Sequence, residues 1–146
     1  EKMRSNNSIL KQQKLKISDY ETTLLNSRRI DIATLCGLAA YNELNIFYIK
    51  DKIYYHFNFG DPNNAIIIYN DGKTYSCELN PNQQLIESIT KNYYHIENPN
   101  KPIRGISTYK IDDIINICNK LDIKTQLESG KSKSKKQMYT EIQTYL

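Results

Sequence analysis

The chain has 146 residues, of which 39% are hydrophobic and 25% charged, and it carries a formal net charge of +4. This is the length of one ordinary domain, or of one domain with a small appendage, and the composition is that of a globular protein. No apolar run approaches the roughly 18 residues that a membrane span needs, and no signal-type stretch follows Glu1. We therefore expect no membrane partner and a cytosolic location, and a chain that starts on Glu is expected to be a piece of something longer.

The basic charge lies at the two ends of the chain. Residues 1–18 carry a net charge of +4, residues 19–100 have six basic and ten acidic side chains, and residues 101–146 have nine basic and five acidic ones. This distribution is typical of a binding arm attached to an acidic body. Codon usage is the alternative explanation, because lysine outnumbers arginine sixteen to four, as an AT-rich genome would produce.

The spacing of the cysteines and histidines does not point to a disulfide framework, a metal site or a catalytic pair. Cys36, Cys77 and Cys118 form no CxxC motif or Cys/His pair, so neither a disulfide framework nor a zinc site is predicted. A catalytic Cys-His pair is the alternative, but Cys36 falls inside an apolar stripe and His56 on the polar face of a predicted strand. We expect no catalytic residue, no metal and no cofactor.

The first half of the chain predicts helices. We interpret residues 1–17 as a basic N-terminal helix or arm, and residues 18–96 as an α+β body. The sequence SDYE at Ser18–Glu21 fits a capping box and predicts a short helix after it. Asp31 is a suitable N-cap for the segment IATLCGLAAYNEL, whose apolar residues recur at helical spacing.

The middle of the chain predicts two β-hairpins. The runs NIFYIK and IYYHFNF are separated by Asp51-Lys52, and their alternation indicates one apolar face. The runs AIIIY and TYSCEL flank Asp71-Gly72, a favourable turn pair. Asn80-Pro81 then predicts the start of a helix that continues to about Tyr94. The expected fold class is α+β, with a four-stranded antiparallel sheet made of two hairpins and flanked by helices.

The apolar positions of the body are expected to form one core. Its predicted members are Ile32, Leu35, Leu38, Ile46, Tyr48, Tyr55, Phe57, Ile67, Leu85 and Ile89.

A linker and two further helices complete the chain. Residues 97–105 are the predicted linker, since they begin with ENPNKP. Residues 106–146 are predicted to form a helix, a polar loop and a helix, with Ser107 or Thr108 as the first cap and Ser134 as the second. Their apolar stripes consist of Ile111, Ile114, Ile115, Cys118 and Leu121, and of Met138, Ile142 and Tyr145. Helices this short should pack on each other or dock on the body.

This C-terminal unit resembles the helix, extended loop, helix units of the SAP and LEM families. The resemblance lies in YKIDDIINICNKLDI, followed by a polar loop and KSKKQMYTEI, and it covers about forty residues. Asp122 stands where glycine is common in these units. The whole chain also resembles proteins of unknown function from large double-stranded DNA viruses that end in such a unit.

The resemblance to SAP units implies weak, largely sequence-independent contact with duplex DNA, made by basic residues and backbone amides at the start of the second helix. The resemblance of the whole chain to viral proteins implies a location in the host-cell cytoplasm or the virion. LEM units bind a protein instead, so a protein-interaction module is one alternative. Two others are a structural viral protein without nucleic-acid contact and a loop that is only solvated. The candidate nucleic-acid-binding residues are Lys131, Ser132, Lys133, Ser134, Lys135 and Lys136.

Overall fold

The structure is a computed structural model, and it describes residues 30–146 together with positions 22, 23, 25 and 26, which are helical. The predicted helix or arm at residues 1–17 and the capping box at Ser18–Glu21 lie outside the described residues. The elements from residue 30 onward are α1 (Ile32–Tyr41), β1 (Asn45–Lys50), β2 (Ile53–Asn58), β3 (Ala65–Asn70), β4 (Tyr75–Leu79), α2 (Gln83–Asn92), β5 (Tyr94–His95), a 3₁₀ turn (Ile106–Thr108), α3 (Ile111–Lys120) and α4 (Lys135–Tyr145).

The fold is α+β, as predicted, and its centre is a five-stranded mixed sheet with the order β4-β3-β1-β2-β5. Both predicted hairpins are present, because β1 pairs antiparallel with β2 and β3 pairs antiparallel with β4. The prediction of an entirely antiparallel four-stranded sheet is wrong. The two hairpins join through a parallel pairing of β1 with β3, and the short β5 adds to β2 in parallel.

Local chemistry explains the two hairpin turns. Asp51 adopts a left-handed φ of 52° in the β1–β2 turn, a conformation that aspartate tolerates better than most residues. In the β3–β4 turn, the Asp71 carboxylate accepts the N–H groups of Lys73 at 2.8 Å and Thr74 at 2.6 Å, and Gly72 has a φ of 87°. The predicted Asp-Gly turn is therefore confirmed.

The chain crosses the beginning of β1 between β2 and β3. The Phe59 N–H donates to the Leu44 carbonyl at 3.1 Å, which holds the crossing segment against the residue before β1. Gly60 lies so close to the backbone of Glu43 and Leu44 that a Cβ atom at residue 60 would be 2.0 Å from the Glu43 carbonyl oxygen. The crossing brings the chain to the far side of β1 at the end where β1 begins. Because β3 therefore starts at the same end as β1, the two strands pair in parallel.

Asn45 holds the crossing from inside the sheet. Its side chain is buried, with 4% of its surface exposed, and it lies at the first position of β1. The amide donates to the Pro62 carbonyl at 3.4 Å and accepts from His56 Nε2 at 2.8 Å. One buried side chain thus joins β1, β2 and the crossing segment, and its polar atoms are satisfied as burial requires.

The sheet is buried on both faces, so the prediction of one apolar face and one core is wrong. Side chains alternate along β1, with Ile46 and Tyr48 facing α1 and Phe47 and Ile49 facing α2. The buried cluster on the α1 side is Cys36, Ala39, Ile46, Tyr48 and Phe57. The buried cluster on the α2 side is Phe47, Ile49, Tyr54, Ala65, Ile67 and Ile89.

The starts of α1 and α2 follow capping rules. The Asp31 carboxylate accepts the Thr34 N–H at 2.6 Å, which confirms the predicted cap of α1. The cap of α2 is Asn82, whose side-chain oxygen accepts the Leu85 N–H at 2.8 Å. The predicted start at Asn80-Pro81 is wrong, because the Asn80 N–H still bonds to Ala65 of β3 and thereby extends the ladder of β4.

The C-terminal helices pack on the β5 edge of the body. Their buried cluster is Ile114, Ile117, Cys118, Leu121, Met138 and Ile142, and Ile53 of β2 and Tyr94 of β5 pack against it. The Lys120 ammonium adds a polar contact, since it donates to the Thr90 carbonyl of α2 at 3.2 Å. The two short helices were expected either to pack on each other or to dock on the body, and they do both.

Residues 97–105, the predicted linker, make specific contacts. The Arg104 guanidinium and the Glu97 carboxylate form an ion pair at 2.6 Å across the segment. The Tyr94 hydroxyl donates to the Pro102 carbonyl at 3.1 Å, and the Tyr139 hydroxyl of α4 donates to the Arg104 carbonyl at 2.8 Å. The segment is thus tied to β5 on one side and to α4 on the other.

Four rings form a row on the α2 side of the sheet. His56 stacks on Phe47 with ring centroids 4.0 Å apart, Phe47 lies 6.2 Å from Tyr54, and Tyr54 stacks on His95 at 4.6 Å. Burial lowers the pKa of His56, and the charge of His95 lowers it further. Burial also lowers the pKa of His95 and outweighs the opposing effect of Glu97. The folded protein therefore favours neutral imidazoles.

The two histidines predict a loss of stability in mild acid. As the pH falls through about 6.5, the unfolded chain binds protons that the folded chain does not, so the free energy of unfolding falls below that pH and is level above it. Urea denaturation from pH 7 to 5 measures this slope. The double variant His56→Phe/His95→Phe keeps the rings and removes the titration, so its slope should be flatter. An unchanged slope in that variant would assign the pH dependence to other groups.

Gly60→Ala should destabilise the protein strongly. The new methyl group would meet the backbone of Glu43, which cannot move away as a flexible side chain can. Forced overpacking of this kind costs about 1–3 kcal/mol. Gly105→Ala is the matched control, because its nearest neighbour would be the Ser107 hydroxyl at 4.0 Å. Equal midpoints of urea denaturation for the two variants would contradict the close crossing.

Candidate nucleic-acid interface in the C-terminal unit

The first helix of the unit, α3, begins two or three residues later than predicted. Ser107 and Thr108, the expected caps, belong to the 3₁₀ turn that precedes it. The cap position is Lys110, whose backbone N–H donates to the Asp113 carboxylate at 2.7 Å. Asp112 and Asp113 place negative charge in the first turn, where the positive end of the helix dipole favours it.

The end of α3 is a Schellman turn in which aspartate takes the position usual for glycine. The Ile123 N–H donates to the Cys118 carbonyl at 2.8 Å, and the Asp122 N–H donates to the Asn119 carbonyl at 3.4 Å. Asp122 has a left-handed φ of 56°. Its carboxylate forms an ion pair with Lys52 of the β1–β2 turn at 2.8 Å, and this pair raises the pKa of Lys52. Both side chains are largely exposed, so the pair contributes little stability.

The polar loop between the helices folds back as a small hairpin. The Lys133 N–H donates to the Thr125 carbonyl at 2.9 Å, and the Leu127 N–H donates to the Lys131 carbonyl at 2.8 Å. Gly130 adopts a φ of 80° at the tip. The loop is longer than a simple extended connection, and these bonds bring its second arm back to the start of α4.

The second helix, α4, has a complete capping box. The Ser134 hydroxyl oxygen accepts the Gln137 N–H at 3.3 Å, and the Gln137 side-chain oxygen accepts the Ser134 N–H at 2.9 Å. The Ser134 hydroxyl also donates to the Gln137 side-chain oxygen, with 2.9 Å between the two oxygen atoms. The predicted cap is confirmed, and Met138 and Ile142 are buried as predicted, whereas Tyr145 is 41% exposed.

The four candidate lysines differ in exposure and in ion pairing. Lys131 and Lys136 are exposed and Lys135 is half-buried. Lys133 has a different environment, because its ammonium forms an ion pair with Glu141 of α4 at 2.6 Å and its side chain is only 12% exposed. Lys124, which sequence reasoning omitted, is exposed on the first arm of the hairpin. The only sequence signal for Lys124 was its place in the same polar segment.

The two candidate serines also differ. Ser132 is exposed, and it pairs with Gln126 across the loop hairpin. Ser134 uses its hydroxyl within the cap of α4. Both serines are exposed, and the Ser134 hydroxyl is engaged in the cap.

The first turn of α4 contrasts with that of α3. It contains Lys135 and Lys136 and no acidic residue. Cations at a helix N-terminus are unfavourable, since the free N–H groups and the helix dipole already place positive charge there. The first turn of α4 therefore combines backbone N–H groups with two lysine side chains.

Cys36, Cys77 and His56 have different environments. Cys36 is fully buried, and burial raises the pKa of its thiol to about 12, so it is protonated at neutral pH. Cys77 is exposed on β4, and His56 is engaged with Asn45 and Phe47. Within the described residues, no group of three or more His, Cys, Asp or Glu side chains is arranged to hold a metal ion.

Comparison of the chain with protein-family models, with curated proteins and with solved structures gave no match. In the part of the chain that the structure describes, no helix combines the length and the apolar content that crossing a membrane requires.

Ser134→Ala should lower the free energy of unfolding by about 1 kcal/mol, because it removes the hydroxyl that accepts the Gln137 N–H. Ser132→Ala is the matched control, since Ser132 is exposed in the same loop. Urea denaturation of the two variants measures the difference. Equal stabilities would mean that the cap contributes nothing to the unit.

Proposed function

We propose that this chain is a non-enzymatic nucleic-acid-binding protein whose C-terminal unit contacts the phosphates of duplex DNA through Lys131, Lys135 and Lys136. The observation that carries the proposal is the presence of two lysines, without an acid, in the first turn of α4. The adjacent helix α3 follows the opposite and more stable arrangement, with two aspartates in its first turn. A lysine pair that opposes folding is explained if a phosphate occupies this position in the complex.

The surrounding contacts support three phosphate contacts rather than four. Lys131 is exposed on the arm of the loop hairpin that leads into α4, four residues before the first of the two lysines of the first turn. Lys133 is held by Glu141, and breaking that pair would leave a half-buried carboxylate without its partner. We therefore assign Lys133 to the support of the loop.

The proposed contact is largely independent of sequence. Residues 106–146 contain no arginine, the side chain that reads guanine most often. The Gln137 amide is used in the capping box of α4. Lysines that contact phosphates position a protein on DNA without selecting bases, so weak binding, with a Kd on the order of 10⁻⁴ to 10⁻⁶ M at physiological salt, is expected.

The resemblance of the unit to SAP modules supports the same assignment, and the resemblance of the whole chain to viral proteins supports a location in the host-cell cytoplasm or the virion. In SAP-like units the start of the second helix is the DNA-binding position, which here corresponds to Lys135 and Lys136. The Schellman turn at Asp122 keeps the left-handed geometry that glycine provides in such units.

The double variant Lys135→Gln/Lys136→Gln should bind DNA less tightly and fold more stably. Binding of the unmodified chain to a fluorescent duplex should weaken with salt with a log-log slope of about −3, and the variant should lose most of this slope. Its free energy of unfolding should rise by about 0.5–1 kcal/mol at low ionic strength, because two cations leave the positive end of a helix. Anisotropy titrations and urea denaturation measure the two effects.

The matched control is Lys50→Gln/Lys73→Gln, which removes the same charge from exposed positions of the body. We expect its salt slope and stability to equal those of the unmodified chain. Equal weakening of DNA binding in both variants would indicate attraction to net charge alone and would reject the proposed site. Unchanged DNA binding in the α4 variant, together with loss of a protein partner, would favour the LEM-like protein-interaction alternative.

A further inference from the structure

Strand β4 forms an outer edge of the sheet. It pairs with β3 on one side, and among the described residues no strand pairs with its other side. All five of its residues are exposed, including Tyr75 and Leu79, each with 67% of its surface accessible. The opposite edge strand, β5, packs against the C-terminal unit through Tyr94, so among the described residues β4 is the edge at which the sheet is open.

The hydrogen-bond register identifies the backbone groups that face outward. The Asp71 N–H donates to Thr74, and the Asn80 N–H donates to Ala65. Because bonded and non-bonded pairs alternate in an antiparallel ladder, Ser76 and Glu78 are the β4 residues that bond to β3. The N–H and C=O groups of Tyr75, Cys77 and Leu79 therefore point away from the sheet.

This edge has only part of the usual protection against pairing. Natural edge strands are kept apart by charged side chains, proline or a bulge, whereas β4 (YSCEL) has Glu78 as its one charged residue and pairs regularly with β3. The outward-bonding residues also form an apolar stripe on the sheet face that contains Ile66 and Ile68, their partners in β3. The proline that ends the free edge is Pro81, two residues beyond the strand.

We propose that β4 pairs antiparallel with β4 of a second copy of this chain, around a two-fold axis at Cys77. Cys77 then lies opposite Cys77 of the second copy, and Tyr75 lies opposite Leu79 in both directions. Each of these three pairs exchanges two backbone hydrogen bonds, so every outward-facing group of the strand is satisfied. The two sheets become one continuous sheet of ten strands.

Charge disfavours one neighbouring register, and an occupied backbone N–H group disfavours the other. In the proposed register Glu78 faces Ser76 of the second copy, so no like charges are opposed. A shift by two residues in one direction places Glu78 opposite Glu78. A shift in the other direction places Leu79 opposite Lys73, whose N–H is already donated to the Asp71 carboxylate at 2.8 Å. The strand is thus complementary to itself in one register.

The contact involves five residues from each copy, which places it among small and transient interfaces. Covalent trapping therefore gives the most direct test. Cys77 is exposed, whereas Cys36 and Cys118 are buried. At a two-fold axis the Cys77 Cα atoms of a bonded antiparallel pair would be about 5.5 Å apart, within reach of a disulfide.

The trapping experiment uses the full chain with diamide, which accepts the two electrons and two protons released when two Cys77 thiols form a disulfide. Non-reducing electrophoresis should show a covalent dimer, and Cys77→Ser should abolish it. The matched control is the double variant Ser76→Cys/Cys77→Ser, which moves the thiol to an exposed neighbouring position on the other face. In the proposed register its two thiols are offset by two residues, so disulfide formation should be about tenfold slower or more. Equal rates at the two positions would indicate random collision and overturn the proposal.

A second experiment measures association without oxidation. Sedimentation equilibrium of the reduced chain over a range of concentrations should show a monomer–dimer equilibrium. Cys77→Lys places two cations face to face at the axis and should shift it to monomer. Ser76→Lys adds the same charge but places it opposite Glu78 of the second copy, so the dimer should persist or strengthen. A monomer at all concentrations, or equal effects of the two lysines, would overturn the proposed register.

Discussion

The crossing of residues 59–64 over the beginning of β1 is the contact on which the rest of the fold depends. It requires a residue without a side chain at Gly60, because the Glu43 carbonyl occupies the space of a Cβ atom. It also requires a buried polar side chain, Asn45, that bonds both to His56 of β2 and to the Pro62 carbonyl of the crossing. With these contacts made, β3 adds to the free side of β1, and β1 becomes the central strand with both faces buried.

The strand order that follows gives the two edges of the sheet different roles. The edge at β5 supports the C-terminal unit, through apolar contacts of Ile53 and Tyr94 and the bond from Lys120 to α2. The edge at β4 carries exposed apolar side chains and backbone groups that point outward. The proposed DNA contact and the proposed self-association therefore lie at opposite ends of the strand order, and neither requires the other.

Within the C-terminal unit, folding and the proposed binding place different demands on the lysines. Lys133 contributes to the fold, because its ion pair with Glu141 ties the loop to α4. Lys135 and Lys136 oppose the fold by adding positive charge to the start of α4, where α3 has aspartates instead. The Ser134 capping box holds that start in place despite the charge. Two positive charges that cost stability at a position fixed by the cap support the proposal of a ligand of opposite charge there.

Features that depend on a few neighbouring residues were predictable from the sequence. The Asp31 and Ser134 caps, the Asp71-Gly72 turn, both hairpins and the burial of Met138 and Ile142 agree with the structure, because backbone capping and apolar spacing are local properties. The candidate lysines were identified in the same way, as a run without acids. Features that depend on distant residues were decided by the tertiary structure: the parallel pairing of β1 with β3, the two-sided burial of the sheet and the partner of Lys133. Alternation along a strand shows that its side chains face two sides, but only the packed helices determine whether the second side meets solvent or a core. Likewise, a lysine run has the same sequence whether each cation faces water or a carboxylate eight residues away, and the fold of the loop makes that choice.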